Sequence, residues 1–222
     1  MSAIQETIHR LHDELPEGVS LVAVSKFHPA EAIADAYGAG QRLFGESHVQ
    51  ELCAKCPVLP PDIEWHFIGH LQTNKVRQLV PHVGLIHSID SEHLLREVNK
   101  QALRIGRRID CLIQLHVAQE ETKYGFTPDE ALRFIGDGTW REMDGVRLVG
   151  IMTMASNVDD KAQIRREFRT AADTFRRMSA DIDSFRHLSM GMSHDWRIAV
   201  DEGATLVRIG TTIFGERQYS SL

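Results

Sequence analysis

Short apolar runs alternate with longer, polar-faced stretches along the whole 222-residue chain. The apolar runs are nearly continuous, which is typical of strands buried on both faces of a parallel sheet. The stretches between them, such as SEHLLREVNKQALRIG, have the spacing of amphipathic helices. The pattern predicts eight strands, at residues 20–26, 42–46, 63–69, 84–90, 109–117, 146–154, 185–191 and 205–210.

Alternating strands and helices predict βαβ units, which build either an open doubly wound sheet or a closed (β/α)₈ barrel. An open nucleotide-binding sheet is favoured by a glycine-rich turn after its first strand, whereas this chain has KFHPAEA there. The count of eight strands favours the barrel, preceded by an additional helix at the N-terminus. We therefore expect an α/β fold in which residues 1–222 form a single TIM-barrel domain.

Charge and apolar content exclude some classes of partner. The net charge of −6 argues against nucleic acid, which usually requires a basic surface. Apolar runs of membrane-spanning length are missing, and the first residues lack the layout of a signal peptide. We therefore expect a cytoplasmic protein that binds no membrane. Cys53 and Cys56 form a lone CxxC within a helical pattern, so we interpret them as structural and expect no metal site.

The first predicted strand, LVAVSK, ends on Lys26. Binding and catalytic groups of such barrels cluster at the C-terminal ends of the strands, so Lys26 is expected at the mouth of a site. A lysine there can be an electrostatic clamp, a general base or a Schiff-base amine. A solvated lysine that merely closes the strand is an equally good interpretation of the position alone.

Two turns near the C-terminus suggest an anion site. SMGMS (189–193) follows the seventh strand, and RIGTTIFG (208–215) carries the eighth into a final turn. Barrels often bind phosphate with these two loops. Gly210 allows close approach of the backbone, and Ser193 and Thr211 add hydroxyl donors. The alternative is a turn of glycine and hydroxyl residues without a ligand.

Ordered motifs across residues 20–217 carry a resemblance to a known family. They are VAVSK, FGESHVQE, WHFIGHLQTNK, SID, ETKYGF, LSMGMSHDW and VRIGTTIFGER. In this order they resemble the pyridoxal phosphate homeostasis proteins of the YggS/PROSC type. That family has a barrel like the N-terminal domain of alanine racemase and binds pyridoxal 5′-phosphate (PLP).

The resemblance implies a role for each matching residue. Lys26 would form the internal aldimine with PLP, and Arg208 would approach the pyridine nitrogen. Ser193, Gly210 and Thr211 would hold the phosphate, with Met192 contributing its backbone. The complete predicted cofactor-binding set is Lys26, Ser47, His66, Met192, Ser193, Arg208, Gly210 and Thr211.

Arg208 bears on the activity that the resemblance implies. A guanidinium beside the ring nitrogen disfavours a second positive charge there, so the ring would stabilise a carbanion poorly. We therefore expect a monomeric PLP carrier in cofactor homeostasis without strong catalysis, whose partners include apo PLP-dependent enzymes. An amino-acid racemase is the alternative, and an interaction protein with a vestigial pocket ranks third. Racemisation needs a second base, for which Tyr124, His66 and His116 are the candidates.

The chain departs from the family pattern at several positions. Ser47 and His48 replace an asparagine and a tyrosine, and His70 stands where a proline is typical. The asparagine expected on the fifth strand is also missing. Lys123 matches a later lysine of the family, which we interpret as a solvated side chain.

Overall fold

Eight parallel strands close into a barrel in chain order, with the last strand paired to the first. The computed structural model describes residues 1–118, 124–180 and 182–215. The strands are β1 Ser20–Val24, β2 Leu43–Glu46, β3 Glu64–Phe67, β4 Leu85–Ile89, β5 Ile109–Leu115, β6 Val146–Thr153, β7 His187–Ser189 and β8 Leu206–Ile209. Each lies inside its predicted range, so the predicted barrel is confirmed.

Helices follow the strands on the outside of the barrel. In the described part of the chain they are α1 Ala3–Glu14, α2 Ala30–Gly38, α3 Val49–Lys55, α4 Val76–Leu79, α5 Glu92–Arg104, α6 Pro128–Asp137, α7 Lys161–Ser179, α8 Trp196–Asp201 and α9 Thr211–Phe214. The expected N-terminal helix α1 begins with a capping box between Ser2 and Gln5. Ser91 caps α5 by accepting from the backbone N–H of Leu94. None of these helices is long and apolar enough to span a bilayer.

Alternation along each strand separates two apolar clusters. Leu21 and Ala23 point outward into the large core between strands and helices, whereas Val22 points into the barrel. The inner cluster consists of Val22, Leu85, Leu112, Val149, Met152 and Leu206. It fills only part of the interior, and polar side chains occupy other inward positions.

The same alternation determines which residues reach the mouth of the barrel. On β1 and beyond it, the inward series continues from Val22 to Val24 and Lys26. On the neighbouring β8 it continues from Leu206 to Arg208 and Gly210. Because β1 and β8 are paired along their length, these two series converge at their C-terminal ends.

Candidate functional site

A cavity of about 210 Å³ opens at the C-terminal end of the barrel. Its walls come from the ends of β1, β2, β3, β6, β7 and β8, as the barrel topology favours for a binding site. The lining residues are Val24, Lys26, His28, Ser47, Ile68, Met154, Met192, Ser193, His194, Arg208, Gly210, Thr211 and Gly215. Seven of the eight predicted cofactor-binding residues therefore meet in one place.

Lys26 lies at the boundary between this cavity and a second one of about 590 Å³. Both cavities are lined by Lys26, Ser47, Ile68 and Met154. The second extends toward His48, His70 and Lys75. The two cavities therefore adjoin at Lys26.

The turn after β7 presents Met192 and Ser193 to the cavity. The Met192 N–H donates to Asp195 Oδ1 at 2.6 Å, and the Trp196 N–H donates to the Met192 carbonyl at 2.9 Å. Asp195 is buried, so its carboxylate holds the turn from behind. The sequence motif contained Asp195, but only the structure shows that its side chain caps this turn.

Gly210 follows β8 and lies close to Val24 at the end of β1. A Cβ atom added there would lie 3.0 Å from the Val24 carbonyl oxygen and 3.2 Å from the Val24 Cβ. Because Gly210 has no side chain, backbone atoms form this part of the cavity wall. Thr211 follows at the start of α9, so its hydroxyl and that of Ser193 belong to the same wall.

Arg208 crosses the interior of the barrel beneath the cavity and is only 4% exposed. Its guanidinium donates to Ser189 Oγ at 2.5 Å and to the Thr153 carbonyl at 2.8 Å. Burial lowers the pKa of Arg208 to about 10, with Asp195 acting in the opposite direction. The side chain therefore still carries a positive charge at neutral pH.

A buried chain of hydrogen bonds runs from Arg208 toward the opposite end of the barrel. Ser189 Oγ lies 3.0 Å from His87 Nδ1, and His87 Nε2 lies 3.0 Å from His66 Nδ1. His66 Nε2 lies 3.3 Å from Glu64 Oε1. We call Glu64, His66, His87 and Ser189 the histidine chain.

The two ends of the histidine chain determine the direction of its hydrogen bonds when both rings are neutral. Glu64 accepts as a carboxylate, so Nε2 of His66 carries the proton and its Nδ1 accepts. His87 must then donate through Nε2 and accept from Ser189 at Nδ1. Arg208 can only donate, so Ser189 accepts from it.

His87 is fully buried, and its pKa lies well below 6.5. Burial is the main cause, followed by the nearby His66 and Arg208. A neutral His87 agrees with the direction of hydrogen bonding in the chain. Sequence reasoning missed this residue, because the strand GLIHSID reads as a continuous buried run.

His66 is the one predicted cofactor-binding residue that does not line the cavity. It points inward from β3, but its ring lies one level below the mouth, between His87 and Glu64. Ile68, the next inward position, occupies the wall instead. His66 therefore reaches Arg208 only through His87 and Ser189.

The candidates for a second base lie at the margin of the site or outside it. Tyr124 is exposed and stacks on His70, with ring centroids 3.8 Å apart. His116 is half-buried and lines neither cavity. The two other tyrosines were not candidates: Tyr37 donates to Asp62 on the outer surface, and Tyr219 lies outside the described residues. Lys123 also lies outside the described residues.

The donor groups of the cavity fit an anionic aldehyde such as PLP. Lys26 supplies an amine, Arg208 a cation, and Ser193 and Thr211 supply hydroxyls beside a wall without a side chain at Gly210. Among the described lining residues there is no carboxylate that would repel a phosphate. The arrangement is that of a barrel whose mouth is chemically suited to an anionic cofactor.

Comparison with known proteins agrees with this class. The family described as "Alanine racemase, N-terminal domain" matches residues 1–218, and the chain belongs to it. Within it, the pyridoxal phosphate homeostasis proteins are the group to which the chain is similar over nearly its full length. The protein of Aquifex aeolicus is 39% identical over 99% of this chain and 97% of its own. The human protein is 38% identical over 98% of this chain and 84% of its own.

A solved structure shows the same fold with a ligand. PipY of Synechococcus elongatus, with PLP bound, is 38% identical and superposes with a TM-score of 0.86. The alignment covers 96% of this chain and 100% of PipY. Its structure without PLP has a TM-score of 0.90.

Proposed function

We propose that this protein binds PLP in the cavity at the mouth of its barrel and takes part in PLP homeostasis. The observation that carries the proposal is the convergence of an amine, a buried guanidinium and two hydroxyls on one cavity. PipY, whose fold this chain shares, binds PLP. The homeostasis function is the one for which the relatives from Aquifex aeolicus and humans are named.

Lys26 is the proposed covalent attachment point. A bound PLP supplies an aldehyde, with which a lysine amine condenses to a Schiff base with loss of one water molecule. Lys26 is a half-buried amine at the cavity, and Arg208 lines the same cavity. The neutral form of the Lys26 amine is the nucleophile in this condensation.

Ser193, Gly210 and Thr211 are the proposed phosphate ligands. The two hydroxyls can donate to phosphate oxygens, and the turn that carries Ser193 is held by Asp195. Met192 lies in the same turn, and Ser47 contributes to the wall next to Lys26. Residues 1–222 would then act as one PLP-binding domain.

Arg208 is the reason for proposing a carrier rather than an enzyme. It remains protonated at neutral pH, and its hydrogen bonds to Ser189 and Thr153 fix its orientation. A fixed positive charge would oppose protonation of a pyridine nitrogen held next to it, and electron-sink chemistry depends on that protonation. We further propose apo PLP-dependent enzymes as recipients of the cofactor.

Borohydride trapping tests the proposed attachment. Purified protein should develop an absorbance band with added PLP, and mass spectrometry after reduction should locate a pyridoxyl group on Lys26. The Lys26→Ala variant should show neither signal. Lys75→Ala is the matched control, because Lys75 lines only the second cavity, and it should retain both. Wild-type protein that never takes up PLP would overturn the proposal.

A turnover assay separates the carrier from the racemase. The loaded protein is incubated with single L-amino acids, and the D-enantiomer is measured over time. A carrier should give no sustained turnover. Delivery is tested by mixing the loaded protein with an apo-enzyme of known PLP dependence and following recovery of its activity. No recovery beyond that given by free PLP would contradict the delivery function.

A further inference from the structure

A cluster of buried charges lies immediately outside the barrel wall behind Lys26. Lys55, on α3, is 7% exposed. Its ammonium donates to Glu46 Oε1 at 2.8 Å, Glu51 Oε1 at 2.6 Å and the Ser25 carbonyl at 2.9 Å. These contacts use all three of its protons. We call Glu46, Glu51 and Lys55 the Lys55 cluster.

Strand parity explains why the Lys55 cluster lies behind the site and not in it. Ser25 and Glu46 continue the outward series of their strands, like Ala23 and Phe44. Lys26, one residue further, faces the cavity. The next residue, Ser47, lines the cavity, whereas the side chain of Glu46 points the other way, toward α3.

The Lys55 cluster holds the main chain on both sides of Lys26. On one side, the Ser25 carbonyl accepts from Lys55, and the Ser25 hydroxyl donates to Glu46 Oε1 at 2.7 Å. On the other side, the Phe27 N–H donates to Glu51 Oε1 at 2.5 Å. The three side chains of the cluster therefore hold both neighbours of Lys26, Ser25 through Lys55 and Glu46 and Phe27 through Glu51.

Phe27 adopts a backbone conformation that needs such support. Its φ is +66°, in the left-handed region that residues other than glycine rarely occupy. The residue is 44% exposed, so burial offsets the strain only in part. Strain of this kind persists only where the surroundings enforce it. The charge-assisted bond to Glu51 is one such restraint.

Stability alone does not account for the Lys55 cluster. Buried ion pairs are usually no more stabilising than apolar residues of the same size, because each ion loses its hydration. Glu46 illustrates the cost, since its Oε2 atom is buried and has no hydrogen-bond partner among the described residues. What the cluster provides is a fixed geometry at Ser25 and Phe27.

We propose that the Lys55 cluster is a positioning device for Lys26. It holds the turn after β1 so that the Lys26 amine points into the cavity beside Arg208. The proposal rests on the proposed covalent role of Lys26. Glu51 is its most direct test, because it links the strained residue Phe27 to the buried ammonium of Lys55.

The experiment measures the rate at which borohydride traps PLP on Lys26 in the wild type and in Glu51→Ala. Loss of the charge-assisted bonds should slow trapping at least ~10-fold at fixed PLP concentration. Affinity for inorganic phosphate, a probe of the anion wall alone, should stay within about twofold. Glu92→Ala is the matched control, because Glu92 is also in the first turn of its helix and pairs with Arg96 away from the site.

Rescue distinguishes positioning from a general structural role. Phe27→Gly removes the backbone strain, so adding it to Glu51→Ala should restore most of the trapping rate. Glu51→Gln keeps an acceptor for the Phe27 N–H and should fall between the wild type and Glu51→Ala. Thermal unfolding of each variant shows that it is folded.

Four results would overturn the inference. Trapping by Glu51→Ala at the wild-type rate would show that Glu51 does not position Lys26. Equal losses of phosphate and PLP binding would indicate a general structural defect. Failure of Phe27→Gly to restore trapping would contradict the role of backbone strain. Absence of trapping in the wild type itself would overturn the proposed function as well.

Discussion

Two buried cations flank the Lys26 site, and their charges are compensated in different ways. Lys55, outside the barrel wall, contacts the carboxylates of Glu46 and Glu51. Arg208, inside the barrel, donates to a hydroxyl and a carbonyl, both neutral. The first arrangement neutralises a cation and fixes the backbone. The second keeps a positive charge directed at the place where a ligand would bind.

Burial shifts the pKa values of one residue in each region, Glu46 and His87, in opposite directions. Burial raises the pKa of Glu46 to about 7, although Lys55 and Ser25 act against this rise. Burial instead lowers the pKa of His87, and the nearby His66 and Arg208 lower it further. Burial therefore favours the protonated form of Glu46, whereas it favours the neutral form of His87. Their contributions to stability should respond to pH in opposite directions.

The largest expected effect comes from removing each cation in turn. Lys55→Met leaves two carboxylates without their cation and should destabilise the fold by about 3–5 kcal/mol. Arg208→Met leaves a hydroxyl and a carbonyl without their donor and should cost about 1–3 kcal/mol. Urea unfolding at pH 7 measures both. A cost for Arg208→Met equal to that for Lys55→Met would remove the distinction between the two regions.

The next effect is the pH response of Glu46. Between pH 4.5 and about 7 the folded state holds a proton that the unfolded state has lost, so stability falls as pH rises through this window. Between pH 5 and pH 8 the free energy of unfolding should fall less in Glu46→Gln than in the wild type, by up to about 3 kcal/mol. Urea unfolding at the two pH values tests this. Parallel curves for the two proteins would contradict it.

Reversing the charge at Arg208 should produce a smaller, functional effect. A carboxylate in Arg208→Glu would favour a protonated ring nitrogen, so slow side reactions with amino acids should increase. Product formation by the PLP-loaded variant measures this. Arg208→Lys keeps the positive charge and serves as the control. Equal reactivity of the two variants would refute the explanation based on charge.

The smallest expected effect is the acid response of the histidine chain. His87 stays neutral in the folded state, while the unfolded state binds a proton below pH 6.5, so stability should fall on acidification from that pH. His187, whose burial lowers its pKa to about 4, acts in the same direction. His87→Gln should therefore lose less stability between pH 7 and pH 5 than wild type does. Thermal unfolding at the two pH values compares them.

Much of the fold follows from local patterns that the sequence carries openly. Apolar runs and helical periodicity predicted all eight strands and the additional N-terminal helix, because burial on both faces leaves a clear signal. The strands were predicted too long. Lys26 and Gly210, for example, lie beyond Ala23 and Ile209, which are the last residues paired between β1 and β8. Strand ends depend on pairing with neighbours, which a single sequence does not show.

The residues of the site could be predicted from the sequence where their position along a strand determines whether they line the cavity. Lys26, Arg208 and Gly210 follow strand ends and motif order, and all three line the cavity. His66 was expected there too, but its ring lies one level lower in the barrel. The sequence distinguishes the C-terminal end of a strand from its start. It does not show how deep each inward side chain lies along the barrel axis.

By itself, the sequence determined the order of strands and helices, the lysine at the end of β1 and the motifs of its family. Only the tertiary structure decided that Lys55 and Glu51, four residues apart on α3, are partly or fully buried against the turn at Phe27. On a helix this spacing is usual for an exposed ion pair. The pair of Glu51 and Lys55 differs from such an exposed pair in its burial and its long-range contacts. Both arise only when the barrel closes and brings α3 against the end of β1.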